Sequence, residues 1–329
     1  MINDVMTTDV TDSVDTQGLT FLWLELTSRC NLRCVHCYAE SEPHPRSPDV
    51  LSQRDYERII DSAARLGCRQ IQFIGGEPTL VPSLPYLVEH ASQSGFTFIE
   101  VFTNALAIPE RLLTCFKKFS VHLAVSVYSD KSDVHDAITK HVGSHAATIR
   151  NIKRFLAAGL DLRIGITAMA YNSDRLDDTI AFLRSLGIEN IKVDRIRSFG
   201  RGTDLVNIGP QSDTAELCGS CWRGSVCVAP NGDVVPCIMG KRLTVGSVLK
   251  SDLADIVHSE QLRLVRRRVY EEVWLPVSKS SPVSSTTSSC EPNCSPSCQP
   301  VCNPRCSPQC NPTTCNPNNK CNPDLYCNP

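Results

Sequence analysis

The pattern with the clearest chemistry is a group of three cysteines near the N-terminus. Cys30, Cys34 and Cys37 lie in the segment TSRCNLRCVHCYAE with the spacing C-x3-C-x2-C. Thiolates are the usual ligands of iron–sulfur clusters, and three of them leave one iron of a four-iron cubane open for chemistry. Zinc or structural cysteines also fit this spacing, although structural zinc prefers four ligands and His36 is poorly placed to be the fourth. The spacing alone therefore leaves both metals open.

A second cysteine group consists of Cys218, Cys221, Cys227 and Cys237 in the segment CGSCWRGSVCVAPNGDVVPC. Four thiols are enough for a fully ligated cluster, and a zinc ribbon is also compatible with the spacing. The Asn231–Gly232 pair predicts a hairpin turn between two short strands, which would bring the flanking cysteines together. The segment therefore predicts a metal site.

The C-terminal tail repeats one short unit, because each of its nine cysteines from Cys290 onward begins a Cys-x-Pro triplet. Frequent proline excludes a helix, and the near absence of aliphatic residues excludes a core, so we expect a disordered tail. Its thiols could supply ligands to the second cysteine group, bind zinc or copper, be modified as a substrate-like segment, or have no catalytic role. The sequence leaves these alternatives open.

Composition limits the classes of protein to which the chain can belong. The 329 residues carry a formal net charge of -2 and no long Lys/Arg run, so nucleic-acid binding is not expected. No apolar stretch approaches a membrane span and the N-terminus is polar and acidic, so we expect a cytoplasmic protein. Eighteen cysteines then favour metal ligation over disulfides, with only the isolated Cys68 and Cys115 expected as buried hydrophobes.

Apolar segments alternate with helical patterns between residues 20 and 200. The predicted strands are 21–26, 69–75, 96–103, 121–127, 160–169 and 190–196, and the predicted helices are 53–66, 109–119, 145–158 and 174–186. A further helical segment is expected around 251–273. Six successive β-α units predict an α/β fold with a parallel sheet, either open or curved into a partial barrel. Ligands then belong at the carboxyl ends of the strands.

Several polar residues follow these predicted strand ends. The second strand runs into GGEPTL (75–80), where two glycines allow close approach of the backbone to a ligand and the Glu77 carboxylate suits an ammonium group. Thr103–Asn104 and Ser126 end the third and fourth strands, and His135–Asp136 follows. The sixth strand ends in Asp194, Arg195 and Arg197 before FGRG. These charges predict either substrate contacts or ion pairs that stiffen a domain junction.

The three-cysteine motif with its following Tyr38, the GGE motif and the later polar residues resemble, in this order, the radical S-adenosylmethionine (SAM) superfamily. The resemblance implies a partial (β/α)6 barrel in which Cys30, Cys34 and Cys37 hold a 4Fe-4S cluster. It implies that the open iron binds SAM, with Glu77 holding the SAM amino group. The other SAM contacts that it implies are Tyr38, Gly75, Gly76, Asn104 and Ser126. Many relatives carry Arg shortly after His-Asp, whereas this chain has Thr139–Lys140, so we assign no clamp for the SAM carboxylate.

The second cysteine group, with Gly232 five residues before Cys237, resembles the SPASM or twitch extension of such enzymes. The resemblance implies an auxiliary 4Fe-4S cluster, and only one is expected because the second SPASM cysteine pattern is absent. The expected organisation is a flexible N-terminus (1–18), a radical SAM core (19–202), a SPASM/twitch-like region (203–276) and a linker with the repeat tail (277–329).

The resemblance further implies an enzyme that cleaves SAM reductively with electrons from a donor such as flavodoxin or ferredoxin. The favoured substrate is a ribosomally made peptide, modified by crosslinking, epimerisation or side-chain oxidation. Two alternatives remain: dehydrogenation or rearrangement of a small molecule, and a non-catalytic iron–sulfur or metal-binding protein.

Overall fold

The structure, a computed structural model, describes residues 18–45, 48–206 and 212–280. The predicted flexible N-terminus, apart from Gly18, and the repeat tail lie outside the described residues. Within the described ranges, no helix combines the length and apolar character needed to cross a membrane.

One sheet organises the described chain. Its strands are β1 (Phe21–Glu25), β2 (Gln70–Ile74), β3 (Phe98–Thr103), β4 (His122–Ser126), β5 (Leu162–Ala168), β6 (Asn190–Arg195), β7 (Ser225–Val228), β8 (Asp233–Val235) and β9 (Gly246–Ser247). They lie in the order β6-β5-β4-β3-β2-β1-β7-β8-β9, and β1 to β6 are all parallel. The prediction of six parallel strands is confirmed.

Helices connect the parallel strands. They are α1 (Gln53–Arg65), α2 (Leu84–Gln93), α3 (Glu110–Lys118), α4 (Ser132–Thr139), α5 (Ser144–Ala157) and α6 (Leu176–Ser185). In α1 the predicted capping box forms between Ser52 and Asp55, and the helix buries Tyr56, Ile59 and Ile60. Helices α2 and α4 were not among the predicted elements.

The two faces of the sheet differ in chemistry because side chains alternate along each strand. One face carries apolar residues such as Phe73, Val101 and Leu123, all buried in the core. On the other face, Glu100 of β3 accepts hydrogen bonds from the Nε and Nη2 atoms of Arg163 at 2.7 and 2.8 Å. Gln72 of β2 also donates to Glu100. The second face of the sheet therefore carries an ion pair between Glu100 of β3 and Arg163 of β5.

The second cysteine group extends the same sheet. Strand β7 pairs in parallel with β1, so that Cys227 lies opposite Trp23. Strands β7 and β8 form the predicted hairpin, in which Gly232 adopts a φ of 86° and donates its amide to the Ala229 carbonyl at 2.9 Å. The hairpin prediction is confirmed, and the added finding is its pairing with β1.

The C-terminal helical region differs from its prediction in two respects. The expected segment 251–273 is divided into α7 (Leu253–Val257), α8 (Glu260–Val269) and a π-helical turn at Tyr270–Trp274. A last helix, α9 (Leu275–Ser280), then occupies the first residues of the predicted linker. Pro276 lies in this helix directly after the π-helical turn, in which the Leu275 amide donates to the Tyr270 carbonyl.

Candidate functional site

The carboxyl ends of β1 and β2 are joined by backbone hydrogen bonds. Gly76 donates its amide to the Thr27 carbonyl at 2.7 Å, and Glu77 donates to the Arg29 carbonyl at 2.9 Å. A Cβ atom on Gly76 would lie 2.1 Å from the Arg29 carbonyl oxygen, so no larger residue fits there. The glycines, predicted to allow approach to a ligand, thus let β2 approach the loop after β1. We call that loop, residues 28–42, the cysteine loop.

Glu77 is fully buried, with 0% of its surface exposed. Its carboxylate accepts hydrogen bonds from the Oγ1 atoms of Thr79 and Thr103, both at 2.6 Å, and from the Asn104 amide at 2.8 Å. Burial raises the pKa of Glu77, and these hydrogen bonds oppose the shift. All of these partners are neutral groups. Because a buried carboxylate is costly without a cation, this site is suited to a positively charged ligand such as an ammonium group.

Of the three predicted thiols of the cysteine loop, that of Cys30 belongs to a buried residue, and those of Cys34 and Cys37 belong to half-buried residues. Leu32 donates its amide to Cys30 Sγ at 3.4 Å, and the Cys37 amide donates to the Cys34 carbonyl at 3.3 Å. Burial, with a contribution from Glu77, raises the pKa of Cys30 to about 12, and burial also raises the pKa of Cys34. Such thiols release their protons when a metal binds, so metal binding and deprotonation are coupled.

The cysteine loop fits a cluster better than a single ion. Among the described residues, no three His, Cys, Asp or Glu side chains form a group that could hold one metal ion. The thiolates of a cubane bind different irons and need not meet at one point. The three thiols are nevertheless close enough to interact electrostatically, since Cys37 and Cys30 both contribute to the raised pKa of Cys34 after burial. These donors therefore match a cluster with one open iron.

Asn104 and Ser126 lie around this loop. Asn104 Nδ2 donates to Asn31 Oδ1 at 2.8 Å and contacts Cys30 Sγ at 3.7 Å. Tyr128, two residues after Ser126, is buried in a small apolar cluster against which Cys34 packs. Tyr128 was not among the predicted site residues. The only signal for it in the sequence is the presence of an aromatic residue just beyond a strand end. The roles of Asn104 and Ser126 as SAM contacts stay predictions.

His135 and Asp136 lie in α4 and connect it to the segment after β4 and to the start of α5. His135 Nδ1 accepts the Tyr128 amide at 3.3 Å, while Asp136 accepts the amides of Gly143 and His145 at 2.6 and 2.8 Å. Burial lowers the pKa of His135 to about 4, which keeps the imidazole neutral. This pair therefore supports the structure around the loop.

A buried ion pair lies between the two cysteine groups. The carboxylate of Glu25, at the end of β1, accepts a hydrogen bond from the Tyr38 hydroxyl at 3.2 Å and pairs with the Lys241 ammonium. The Glu25 side chain is 2% exposed and that of Lys241 29%. Burial raises the pKa of Cys227, Glu25 raises it further, and Lys241 opposes the shift. Sequence reasoning missed Glu25 and Lys241 because 216 positions separate them.

Three of the four thiols in the second cysteine group come together. The Sγ atoms of Cys221 and Cys237 lie 2.8 Å apart, and a hydrogen bond with Cys221 lowers the pKa of Cys218 to about 5. Cys227 interacts with Cys237 electrostatically but faces Glu25 and Lys241. Soft thiolates such as these are suitable metal ligands. The assignment of Cys227 as a fourth ligand stays a prediction.

Aromatic packing holds the second cysteine group on the C-terminal helices. The Trp222 ring lies 5.1 Å from the Tyr270 ring and 6.1 Å from the Trp274 ring, both in the π-helical turn. The Arg223 guanidinium lies 4.2 Å from the Trp274 ring centroid, a cation–π geometry. The helices therefore position the short turn at Cys221–Arg223.

The charges at the end of β6 form ion pairs. Arg197 Nη2 lies 2.9 Å from Asp194 Oδ1, and Arg195 Nη1 lies 2.9 Å from Glu216 Oε2 in the C-terminal extension. These contacts favour the alternative in which the charges stiffen the junction.

Away from both cysteine groups, Cys68 and Cys115 are buried as predicted.

Comparisons with known proteins agree with this geometry. The sequence model of the radical SAM superfamily matches residues 24–183, and the model of the SPASM iron–sulfur cluster-binding domain matches residues 218–299. The second match includes the three tail residues Cys290, Cys294 and Cys298, which lie outside the described residues.

Two curated relatives resemble parts of the chain. The subtilosin biosynthesis protein AlbA of Bacillus subtilis is 25% identical over 71% of this chain and 58% of its own length. The mycofactocin maturase MftC of Mycobacterium ulcerans is 33% identical over 55% of this chain and 48% of its own length. The chain thus spans about half to three fifths of these relatives.

The crystal structure of Streptococcus suis SuiB bound to S-adenosylmethionine shares the fold. Its TM-score is 0.64 at 16% identity, covering 76% of this chain and 68% of SuiB. SuiB bound to its precursor peptide SuiA gives a TM-score of 0.63 at 16% identity, covering 79% of this chain and 70% of SuiB. The predicted partial-barrel α/β fold is confirmed by these matches.

The ion pair between Glu25 and Lys241 generates a stability prediction. Lys241→Met leaves the Glu25 carboxylate buried without its cation and should lower the free energy of unfolding by about 3 kcal/mol. Urea denaturation of the metal-free, reduced protein measures this change.

The double variant Glu25→Gln/Lys241→Met serves as the control. It removes the buried charge as well as its partner and should recover most of the lost stability. A single Lys241→Met variant as stable as the wild type would show that the pair contributes nothing.

Proposed function

Because this chain belongs to the radical SAM superfamily and carries a SPASM domain, we propose that it is an iron–sulfur enzyme that modifies a peptide after reductive cleavage of SAM. The observation that carries the proposal is the contact between Cys30 and Asn104, beside the buried and cation-free environment of Glu77. A cluster ligand and a carboxylate for an ammonium group thus occupy one edge of the sheet.

The residues of this site have separate roles. Cys30, Cys34 and Cys37 hold the cluster, and Glu77 orients the SAM ammonium through charge and hydrogen bonding. Thr79, Thr103 and the Asn104 amide fix the two carboxylate oxygens, so the acceptor is already ordered before the ligand arrives. When bound, the reduced cluster supplies the electron that cleaves SAM to methionine and a 5′-deoxyadenosyl radical, which abstracts a substrate hydrogen.

The second cysteine group holds an auxiliary cluster through Cys218, Cys221 and Cys237. A fourth ligand comes from Cys227 or from the tail. The extension of the SPASM match to residue 299 supports the tail, and the electrostatic contact of Cys227 with Cys237 supports Cys227. Electrons enter from a cytoplasmic donor such as flavodoxin or ferredoxin.

A peptide substrate is supported by the relatives. AlbA is a subtilosin biosynthesis protein, MftC is a mycofactocin maturase, and SuiB has been crystallised with a precursor peptide. AlbA and MftC resemble this chain in sequence, whereas the fold likeness to SuiB alone does not specify a substrate. We therefore place peptide modification ahead of small-molecule chemistry.

Glu77→Gln tests the SAM-binding role of the carboxylate. The amide has nearly the same shape but no charge, so it should weaken SAM binding by about 2 kcal/mol, roughly 30-fold in Kd. Equilibrium dialysis of anaerobically reconstituted protein measures this affinity. The exposed Glu110→Gln variant is the control, and an unchanged Kd for Glu77→Gln would remove this assignment.

Cys34→Ala tests the enzymatic proposal. Anaerobic reconstitution with iron, sulfide, dithionite and SAM should release 5′-deoxyadenosine from the wild type, and loss of one ligand should abolish that release. Chromatography with mass spectrometry measures the product. Cys68→Ala, a buried cysteine outside both groups, should retain it.

The same assay separates the candidate functions. No 5′-deoxyadenosine from iron-loaded wild type would favour a non-catalytic iron–sulfur protein. Release stimulated by a short peptide encoded beside this gene, with a mass change in that peptide, supports peptide modification. Stimulation by small molecules alone favours the alternative enzyme class.

Cys237→Ala tests the auxiliary site. The wild type should bind about eight iron atoms per chain and the variant about four, because each cubane holds four. Iron and sulfide assays after desalting measure both, with Cys115→Ala as the control. A wild type with about four iron atoms contradicts two clusters, and iron loss on removing residues 281–329 would assign ligands to the tail.

A further inference from the structure

The FGRG segment after β6 contacts the cysteine loop through Arg201. The Arg201 amide donates to the Cys37 carbonyl at 3.0 Å. Its guanidinium donates from Nε to the Cys34 carbonyl and from Nη2 to the Ser41 carbonyl, both at 2.8 Å. One residue therefore binds three carbonyl groups of the loop that holds the cluster thiols.

The glycines beside Arg201 make this approach possible. Gly200 has a φ of 52°, and a Cβ atom there would lie 2.4 Å from the Cys37 carbonyl oxygen. A Cβ atom on Gly202 would lie 2.3 Å from the Arg197 carbonyl oxygen, and both glycines belong to the 3-10 turn at Gly200–Asp204. The turn lies in backbone contact with the loop, so side chains larger than hydrogen at these two positions would displace Arg201.

The positive charge of Arg201 lies against the cysteine loop. Its side-chain hydrogen bonds go to carbonyl groups rather than to a carboxylate, so they leave its charge unneutralised. The guanidinium Nε lies 2.8 Å from the carbonyl oxygen of Cys34, so the positive charge stands beside a residue that carries one of the cluster thiols. A positive charge beside a thiolate stabilises the more negative state of the group that it faces.

We propose that Arg201 is a positioning residue for the cluster, which fixes the carbonyls of Cys34, Cys37 and Ser41 and raises the reduction potential of the metal centre with its charge. The proposal rests on the cluster assignment made above. One-electron reduction by the external donor adds one negative charge to the cluster and forms no bond, so a nearby cation favours the reduced state.

The positioning part is tested in the metal-free protein. Arg201→Lys keeps the charge but cannot bridge two carbonyls with a planar fork, and Arg201→Gln removes the charge as well. Both variants should show faster amide hydrogen exchange across residues 34–42 than the wild type, measured by mass spectrometry under reducing conditions. Exchange equal to that of the wild type in both variants would overturn the positioning role.

The charge part is tested in the reconstituted protein by a redox titration followed with electron paramagnetic resonance. The second cluster is removed first with a Cys237→Ala background, so that one signal is read. Arg201→Gln should shift the potential to a more negative value, whereas Arg201→Lys should stay near the wild type. An Arg201→Gln potential equal to that of the wild type would overturn the electrostatic role.

Arg195→Gln is the matched control. Arg195 ends β6, its side chain is 54% exposed, and it pairs with Glu216. Removing this charge should leave both the loop exchange and the potential unchanged, because exposed charges are screened by water and salt. An equal shift of the reduction potential in Arg195→Gln would show that the effect is not specific to Arg201.

A variant that holds no cluster still tests the proposal. If Arg201→Gln loses its iron, the comparison is made with Arg201→Lys, which should lose iron to a chelator faster than the wild type. Equal rates of iron loss in Arg201→Lys and the wild type would contradict the positioning role of Arg201. Failure of the wild type to bind iron would instead contradict the proposed function, while the hydrogen-exchange result on the metal-free chain would stand independently.

Discussion

The close backbone contact between the cysteine loop and the GGE segment is the constraint on which the site depends. Two hydrogen bonds join Gly76 and Glu77 to residues 27 and 29, and a single Cβ atom on Gly76 would prevent them. This contact brings the loop that carries the thiols beside the buried carboxylate. Because β1 and β2 are adjacent and parallel, their carboxyl ends lie side by side, and no additional structural element is needed to bring them together.

Desolvation then sets the chemical character of the site. Buried thiols keep their protons until a metal replaces them, and a buried carboxylate surrounded only by neutral donors favours a cationic ligand. The same reasoning explains the pairing of Glu25 with Lys241, since an isolated charge at that depth would be costly. This pair joins the core to the extension while keeping both cysteine groups in one electrostatic environment.

The extension continues the core sheet, because β7 pairs with β1. Residues at and after the end of β6 add contacts to the extension and to the cysteine loop. Arg195 reaches Glu216 in the extension, whereas Arg201 turns back to the cysteine loop. Two arginines six residues apart therefore contact different parts of the molecule. Their spacing along the chain does not reveal this difference, because short-range sequence patterns carry no information about which distant backbone groups need donors.

The sequence by itself determined the parallel strands, the β7–β8 hairpin and the two cysteine groups, because apolar periodicity, turn residues and ligand spacing are local properties. The radical SAM and SPASM resemblance followed from ordered motifs such as Cys30–Cys37 and Gly75–Glu77. Only the tertiary structure decided the pairing of Glu25 with Lys241, the approach of Tyr128 to Cys34, the position of Cys227 beside Glu25 and Lys241 and the contact of Arg201 with the loop. Each of these depends on residues far apart in sequence, whose proximity is created by sheet order and by the need to pair buried charges and carbonyls.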